Sequence, residues 1–336
     1  IKYVYLASTG EIRGVRNVGG EKFFYLDKDD VKKYGLEDYS YPLLSSLGYM
    51  NYFTFKEGDW KKLRKDGKKC YLFLAHEQFD ELPEKIREYI NLGKGAITLR
   101  KKKGEEKRRP VCESEASKAR EKYSQYFYGW YDLGGVIDAP IYIARGTQYW
   151  TRFVLSEFNV ALDDRILALI PRREFTNKEL KAILAFLNSS FSQLQAEIRG
   201  RTTGGGMIEL DLRPLQDFLI LDVKSLPDEK INELASLFDK LEAEARSLGG
   251  ADSKENVDRL FDTTIHEIDR VIGEILGIKH LVDPIRALVM NLQERRLARA
   301  GEAKPELLKG EETVKIFKKE KRRKKKKHDK TLLDYL

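Results

Sequence analysis

The stretch TNKELKAILAFLNSSFSQLQAEI, residues 176–198, carries the strongest structural signal in the chain. Thr176 and Glu179 have capping-box spacing, in which each side chain can accept a hydrogen bond from the other residue's amide. Apolar side chains then recur every three or four residues and predict the buried face of a helix. They are Leu180, Ile183, Leu184, Leu187, Phe191 and Leu194. We expect one helix to about Ile198, because the glycine-rich segment at residues 199–206 cannot continue it.

Upstream of this helix, six short apolar runs are rich in β-branched or aromatic residues and are bounded by turn formers, a pattern that predicts β-strands. They lie at residues 3–6, 23–26, 71–74, 141–144, 153–155 and 166–170. Two short helices are predicted between them, at residues 29–34 with Gly35 as the stop and at residues 82–92 with Gly93 as the stop. The first two-thirds of the chain is therefore expected to mix helices and strands.

Downstream of Pro227 the pattern is helical. Amphipathic helices are predicted over residues 231–241, over residues 252–275 and after Leu281, and together they suggest an antiparallel helical bundle. We therefore expect the α+β class. The predicted segments are a mixed α/β domain at residues 1–221, a helical bundle at residues 222–300 and a charged, flexible basic tail at residues 301–336.

Composition restricts the class of protein. No apolar stretch approaches the roughly 18 uncharged residues that a membrane helix needs. Cys70 and Cys112 are the only cysteines of the 336 residues and lack metal-ligand spacing, which argues against a disulfide scaffold and against a zinc ribbon. The expectation is a cytoplasmic protein with no membrane partner.

Positive charge is concentrated in three segments. Residues 318–330 contain ten basic and two acidic residues, which equals the whole net charge of +8. Residues 61–69 contain six basic residues and one acidic residue, and residues 94–109 contain eight and two. Because clustered cations release counterions from phosphate backbones, the two internal patches predict a nucleic-acid partner. The alternatives are solvated loops for the patches and a disordered segment for the tail.

A catalytic site is not predicted in this chain. The four histidines are scattered, and the sequence has no cluster with metal-ligand spacing. Asp163, Asp164, Glu179 and Lys181 offer the residue types of a metal-dependent nuclease, but such residues must meet on adjacent strands to bind Mg²⁺. The capping box instead assigns Glu179 to the first turn of a helix. A nuclease is therefore disfavoured, and no metal is expected.

Eight short stretches follow one another in an order that is found in a known family. They are Arg13-Gly14, Gly19-Gly20, Phe23-Phe-Tyr-Leu26, Trp130-Tyr-Asp-Leu133, Pro140-Ile-Tyr-Ile-Ala-Arg145, Ala185-Phe-Leu-Asn-Ser-Ser190, Gly200-Arg201 and Leu210-Asp-Leu212. This order resembles the C-terminal target-recognition region of TaqI-like adenine-specific DNA methyltransferases. The Leu-Asn-Ser-Ser segment is also similar to the specificity subunits of restriction systems.

The resemblance implies sequence-specific recognition of double-stranded DNA by the C-terminal part of an adenine-N6 methyltransferase in a restriction-modification system. The family's Asn-Pro-Pro-Tyr motif is absent, since the chain has no Pro-Pro pair, and no glycine loop for S-adenosylmethionine is recognisable. This implies a catalytic domain and its S-adenosylmethionine outside the chain, and no cofactor within it. Ile1 in place of an initiator Met adds the expectation of a part of a longer enzyme.

Two other functions stay open. One is a free-standing DNA specificity subunit that works with a separate methyltransferase chain, which the upstream reading frame would distinguish. The other is an RNA-binding protein that uses the basic tail and loses binding when the tail is removed. Residues 222–279 of the predicted bundle contain fourteen acidic and eight basic residues. The bundle is therefore expected to support the recognition domain or to dock a partner, and not to contact DNA.

Basic residues of the first 109 positions are the predicted phosphate contacts. They are Arg13, Arg16, Lys61, Lys62, Arg64, Lys68, Lys69, Arg100, Lys101, Lys102, Lys103, Lys107, Arg108 and Arg109. Base readout needs paired donors and acceptors, and two polar segments provide them. Their candidates are Arg145, Gln148, Tyr149, Arg152, Arg199, Arg201, Thr202 and Thr203.

Glycine and aromatic residues add two open questions. Gly19 and Gly20 would allow the loop that carries Arg16 to approach DNA closely, or would form a hairpin turn. The aromatic residues 126–131 could stack on unpaired bases, but packing is favoured for Trp130. Phe23, Phe24 and Leu26 are expected to pack inward.

Overall fold

The computed structural model describes residues 3–95, 97–102 and 105–299, and the side chains of residues 97–102 and 105–108 lie outside that description. The strands in these ranges are β1 (Tyr3–Tyr5), β2 (Gly10–Gly14), β3 (Tyr25–Leu26), β4 (Ser40–Leu44), β5 (Thr54–Phe55), β6 (Tyr71–Phe73), β7 (Ile97–Lys102), β8 (Glu105–Pro110), β9 (Ile141–Ala144), β10 (Gly146–Thr147), β11 (Phe153–Ser156), β12 (Ala161–Leu162), β13 (Ile166–Pro171), β14 (Arg201–Thr202), β15 (Ile208–Glu209) and β16 (Leu219–Leu221).

The helices in the same ranges are α1 (Leu6–Thr9), α2 (Glu21–Phe24), α3 (Lys28–Tyr34), α4 (Glu57–Lys65), α5 (Glu84–Gly95), α6 (Glu115–Lys122), α7 (Asn177–Leu187), α8 (Ser190–Arg199), α9 (Leu212–Gln216), α10 (Asp228–Ser247), α11 (Lys254–Asp262), α12 (Thr264–Leu276) and α13 (Val282–Arg299). None of these described helices is long and apolar enough to cross a membrane. The mixture of several small sheets with many helices confirms the α+β class.

A five-stranded sheet in the order β2-β13-β9-β11-β5 separates two hydrophobic clusters. Its neighbours are antiparallel, except that β5 lies parallel to β11. Ile141 and Ile143 of β9 belong to the cluster that α7 shares, whereas Tyr142 and Ala144 belong to the other cluster. Because side chains alternate across a strand, a strand that lies between two hydrophobic clusters must be apolar on both faces. The predicted strand at residues 141–144 is confirmed.

A four-stranded sheet in the order β12-β4-β6-β3 carries a separate, aromatic core. Residues 23–26 were expected to form one strand, but Glu21–Phe24 form a helical turn before β3. The turn forms because the amides of Phe23 and Phe24 both donate to the carbonyl of Gly20. Both rings are buried as predicted, and Phe23 stacks on Tyr89 with 4.7 Å between ring centroids.

Helix α5 continues through its predicted stop at Gly93 and ends at Gly95. A Cβ atom at Gly93 would lie 2.3 Å from the indole of Trp130 and 2.8 Å from the ring of Phe23. Close packing, rather than a turn, therefore requires glycine here. Gly35 does end α3 as predicted, in the left-handed conformation with φ of 64°.

The single helix expected over residues 176–198 is two helices. Helix α7 begins at the predicted capping box, where the amide of Thr176 donates to Glu179 Oε2 at 2.8 Å and the amide of Glu179 donates to Thr176 Oγ1 at 3.2 Å. The helix stops at Asn188, whose side chain binds the backbone N–H and carbonyl of Phe153 at 3.0 and 2.8 Å. Side-chain bonds of this kind compete with continuation of a helix.

The C-terminal helices share a hydrophobic core with the five-stranded sheet. Helix α10 packs on α7, and α13 packs on α8. One cluster contains Leu167 of β13, Leu184 of α7 and Leu241 of α10. The predicted segment boundaries at residues 222 and 301 stay predictions, and the tail lies outside the described residues.

The second predicted bundle helix is also interrupted. Thr263 has a non-helical conformation with φ of −112° and ψ of −105°, and it separates α11 from α12. Its hydroxyl donates to Glu244 Oε1 at 2.5 Å. A contact with a neighbouring helix therefore accompanies the break, whereas the apolar spacing alone predicted one continuous helix.

Candidate nucleic-acid interface

A three-stranded sheet in the order β10-β15-β14 brings the two predicted readout segments together. Gly146 and Thr147 pair with β15 on one side, and Arg201 and Thr202 pair with it on the other. Glu209 lies opposite both Gly146 and Arg201. Because neighbouring strands lie about 4.8 Å apart, segments that are distant in sequence come within about 10 Å of each other.

Carboxylates bind an arginine in each readout segment. Arg145 Nε and Nη2 donate to Asp211 Oδ1 at 3.1 and 2.5 Å, and Arg201 Nη2 donates to Glu209 Oε2. The side chains of Arg145 and Arg201 are 40% and 65% exposed, so these pairs add little stability. Their effect is to restrict each guanidinium, while both side chains stay partly exposed to solvent. Neither acid was predicted from the sequence, because each pair forms only when the strands meet.

The turn between β14 and β15 contains three consecutive glycines, at residues 204–206. Gly205 and Gly206 adopt left-handed φ values of 72° and 70°, which favour glycine. The Gln148 side chain donates to the carbonyl of Gly205 at 3.2 Å and so joins the two readout segments. Thr202 is exposed and Thr203 is half-buried. We define the readout surface as Arg145, Gln148, Arg201, Thr202 and Thr203.

Three other predicted readout residues have different environments. Arg152 is buried, Nη1 donates to the carbonyl of Ala251 at 2.8 Å, and burial lowers the pKa of the guanidinium to about 10. Tyr149 is half-buried and packs against the main hydrophobic cluster. Arg199 is exposed at the end of α8, 3.8 Å from Asp217. Arg152 therefore makes structural contacts and lies apart from the readout surface.

The readout loop, residues 148–152 between β10 and β11, is hydrogen-bonded to Asn188 and to helix α8. Gln193 Oε1 accepts from the amide of Thr151 at 2.9 Å, and Trp150 Nε1 donates to the carbonyl of Asn188 at 3.2 Å. Asn188 and the serines after it are buried. The Leu-Asn-Ser-Ser segment therefore supports the readout loop and does not form part of its surface.

The loop before α2 is not a hairpin turn, because β2 and β3 belong to different sheets. A Cβ atom at Gly19, which has φ of 80°, would lie 2.3 Å from Ser114 Oγ. Asn17 accepts from the amide of Gly19 at 2.8 Å and donates to Asp164 Oδ2 at 2.6 Å. The glycine thus serves packing and a fixed loop conformation. The hairpin alternative is wrong.

The two predicted phosphate contacts nearby are Arg13, on β2, and Arg16, in the loop. Arg13 is exposed, and Nε and Nη2 donate to the Glu11 carboxylate at 2.8 and 2.9 Å. Arg16 is also exposed. Both remain available to a phosphate as predictions.

Helix α4 and the turn after it present an exposed basic patch. Its members are Lys61, Lys62, Arg64, Lys68 and Lys69. Trp60 anchors the helix, because its buried indole donates to the carbonyl of Cys70 at 2.8 Å. Lys61 lies 3.0 Å from Glu57, and Lys69 binds both Asp27 and Asp30. Lys69 is therefore compensated locally by two carboxylates and offers less net charge to DNA.

The second basic patch lies on the antiparallel ribbon of β7 and β8. The register pairs Thr98 with Arg109, Leu99 with Arg108, Arg100 with Lys107, Lys101 with Glu106 and Lys102 with Glu105. Lys103 lies outside the described residues. The major groove admits a two-stranded ribbon, so the backbone geometry is compatible with the predicted contacts.

The residues of the nuclease hypothesis have separate protein partners. Glu179 binds Lys224 at 2.8 Å, Asp163 binds Arg165 at 2.6 Å, and Lys181 binds Asp239 at 2.7 Å. In the part of the chain that the structure describes, no group of three His, Cys, Asp or Glu side chains could hold a metal ion. The geometry gives the nuclease hypothesis no support.

The aromatic residues 126–131 fall into two groups. Trp130 is buried, with its ring centroid 5.3 Å from that of Phe23, so the predicted packing is confirmed. Tyr126 and Tyr128 are exposed, and the Tyr128 ring meets the His76 ring edge-on at 5.1 Å. Base stacking by these two tyrosines stays a prediction.

Comparison with known proteins identifies the family. The family described as type II methyltransferase M.Eco57I, C-terminal domain, matches residues 15–254, well over half of the 336 residues. The chain belongs to this family. Both readout segments lie inside the matched residues, whereas α12 and α13 lie beyond them. The predicted relation to the C-terminal region of a type II methyltransferase is confirmed.

Two similar proteins are much longer than this chain. Type II methyltransferase M.AccI of Acinetobacter calcoaceticus is 21% identical over 229 residues, which are 68% of this chain and 38% of M.AccI. The crystal structure of the type IIG restriction endonuclease BpuSI superposes with a TM-score of 0.56 at 14% identity, over 89% of this chain and 32% of that one. The second comparison concerns the fold alone. The chain spans well under half the length of either relative.

Proposed function

We propose that this domain recognises a specific sequence of double-stranded DNA as the C-terminal part of an adenine-N6 methyltransferase in a restriction-modification system. One observation carries the proposal: the two predicted readout segments share one small sheet and expose two arginines that carboxylates orient. The family and its relative M.AccI support DNA as the substrate class, since both are described as type II methyltransferases.

The readout surface has the donor chemistry that the major groove requires. Guanine presents its O6 and N7 acceptors to a guanidinium, and adenine presents a donor and an acceptor to a side-chain amide. Arg145 and Arg201 use part of each guanidinium on a carboxylate and retain N–H groups for a base edge. Because the carboxylates restrict the arginines before binding, less conformational freedom is lost on contact with DNA.

The basic patches supply affinity without sequence preference. Lys62, Arg64 and Lys68 are exposed around α4, and the ribbon of β7 and β8 carries further basic residues. Contacts of lysine and arginine with phosphates position a protein on the duplex, while base contacts specify the site. We assign these two roles to the patches and to the readout surface respectively.

Methyl transfer is assigned to a domain outside this chain. The sequence has neither a Pro-Pro pair nor a recognisable glycine loop, so we place the Asn-Pro-Pro-Tyr motif and S-adenosylmethionine in that domain. A methyltransferase reaches the base only after it leaves the duplex stack. The DNA-recognition domain binds the target site, and the catalytic domain binds the flipped-out adenine.

Selection from a random-duplex pool tests the proposal. The intact chain would be used at about 0.15 M salt, where long-range phosphate attraction is screened. We expect enrichment of one short motif, and we expect structured RNA to compete poorly with it. Binding without any enriched motif, or a preference for RNA, would contradict the proposal.

The reading frame upstream separates the two arrangements of the catalytic domain. A continuous frame that encodes Asn-Pro-Pro-Tyr supports one fused enzyme. A separate methyltransferase gene without such continuity supports the free-standing specificity subunit.

A further inference from the structure

Arg296 of α13 connects the two readout segments through one guanidinium. Its side chain is only 5% exposed. Nη1 donates to the carbonyl oxygen of Gln148 at 2.8 Å and to the carbonyl oxygen of Gly206. Gln148 belongs to the first readout segment, and Gly206 belongs to the turn that follows the second. One side chain of a C-terminal helix therefore binds the backbone of the first readout segment and of the turn that follows the second.

A carboxylate on α8 fixes this guanidinium. Arg296 Nε and Nη2 donate to the two oxygens of Glu197 at 3.1 and 3.0 Å, and the Glu197 side chain is 2% exposed. Gln193 Nε2 donates to the same carboxylate at 3.1 Å, while Gln193 Oε1 accepts from the amide of Thr151. The hydrogen bonds are thus continuous from α13 through α8 to the readout loop.

Gln293, which precedes Arg296 by about one helical turn, adds another contact. Its Nε2 donates to the carbonyl oxygen of Tyr149. The carbonyls of Gln148 and Tyr149 are therefore both bound by α13, which restricts the backbone torsion angles of Tyr149. These contacts involve main-chain atoms of the loop, so they fix its position without occupying the side chains of the readout surface.

We infer that Arg296 is a positioning residue for sequence specificity, which sets the spacing between the two readout segments. The inference rests on the proposed DNA recognition and deepens it. A planar guanidinium can bind a carboxylate with two N–H groups and still donate to two carbonyls, whereas the compact ammonium of lysine cannot. Helix α13 lies beyond residues 15–254, so it adds a specificity determinant outside the matched family segment.

The test compares Arg296→Lys with the matched control Arg295→Lys, which changes an exposed arginine at the adjacent position. The affinity of each variant would be measured for a duplex that carries the motif enriched by the wild-type chain and for a scrambled duplex. We expect Arg296→Lys to lower the ratio of the two affinities about tenfold, the effect of roughly one or two lost hydrogen bonds. Affinity for the scrambled duplex should change less than about twofold, because the phosphate contacts stay. The control should retain the wild-type ratio.

Two further variants separate positioning from folding. Gln293→Ala and Glu197→Gln each remove one part of the network, and both should lower the affinity ratio while the chain still unfolds cooperatively on heating. An unchanged ratio in folded Arg296→Lys and Gln293→Ala would overturn the positioning role. Absence of any preferred sequence in the wild-type chain would instead refute the proposed function itself.

Discussion

Helix α7 ends at Asn188 and α8 follows it. Three hydrogen bonds of the Asn188 side-chain amide stabilise this break between the helices. Oδ1 accepts from the amide of Phe153 at 3.0 Å, and Nδ2 donates to the carbonyls of Phe153 and Leu184 at 2.8 and 2.9 Å. Strand β5 pairs with β11 only at Leu155 and Ser156. The Asn188 side chain therefore takes the place of a neighbouring strand at Phe153.

Asn188→Ala should destabilise the protein. The substitution leaves the buried N–H and carbonyl of Phe153 without these partners, which costs about 3 kcal/mol of the free energy of unfolding. Urea unfolding would measure the loss. Asn177→Ala, at an exposed position of α7, is the control and should change stability little. Equal stability of the two variants would contradict the role of Asn188.

Arginines of similar sequence context have opposite environments in this fold. Arg152 and Arg201 both lie in polar segments that predict base readout, yet Arg152 is buried and Arg201 is 65% exposed. Arg296 received no functional prediction at all, because an arginine in a helical pattern is usually a surface residue. Burial and carbonyl partners decide these roles, and both arise only from tertiary packing.

At the scale of elements, local signals in the sequence predicted several features that short-range contacts control, although they missed the helical turn at Glu21–Phe24. The capping box of α7, the strand β9 and the left-handed stop at Gly35 follow from short-range hydrogen bonding and side-chain alternation. The errors at Gly93, Asn188 and Thr263 each involve a partner from a distant part of the chain. A periodic pattern contains no information about such partners.

The candidate site was also predicted only in part. The two readout segments were predicted from their polar and aromatic composition. Their meeting on β15 was not predicted, because strands of two residues have no periodic signal. The orienting acids Asp211 and Glu209 were missed for the same reason.

Helix α4 provides a prediction about nonspecific binding. Lys61→Gln with Lys62→Gln should weaken binding to every duplex by a similar factor, since phosphate contacts carry no sequence information. The slope of log affinity against log salt should become shallower by about two. Lys240→Gln with Lys254→Gln, on the C-terminal helices, is the control and should leave the slope unchanged. A change in the selected motif would contradict the assignment of α4 to phosphates.

At the scale of the whole molecule, the C-terminal helices and the five-stranded sheet form one core. Leu184 of α7, Leu241 of α10 and Ile272 of α12 belong to a single buried cluster with residues of β9 and β13. Polar contacts also join the C-terminal helices to the sheet region, since Glu242 of α10 accepts from the amides of Phe53 and Thr54 at 2.8 and 3.0 Å. The helices are therefore part of the support for the readout surface.

This shared core predicts one cooperative transition. Thermal unfolding followed by far-ultraviolet circular dichroism should coincide with unfolding followed by tryptophan fluorescence, because the helices and the buried Trp150 depend on the same contacts. Two separate transitions would show that the helical segment unfolds independently of the sheet.

The most direct test of the central claim is to repeat the random-duplex selection with Arg145→Ala and Arg201→Ala beside the wild-type chain. Arg259→Ala, an exposed arginine of α11, serves as the matched control. We predict that each readout variant relaxes the motif at one or two base positions, at a cost of about 1–3 kcal/mol for the preferred base. The control should select the wild-type motif. An unchanged motif in both readout variants would contradict base recognition by this surface.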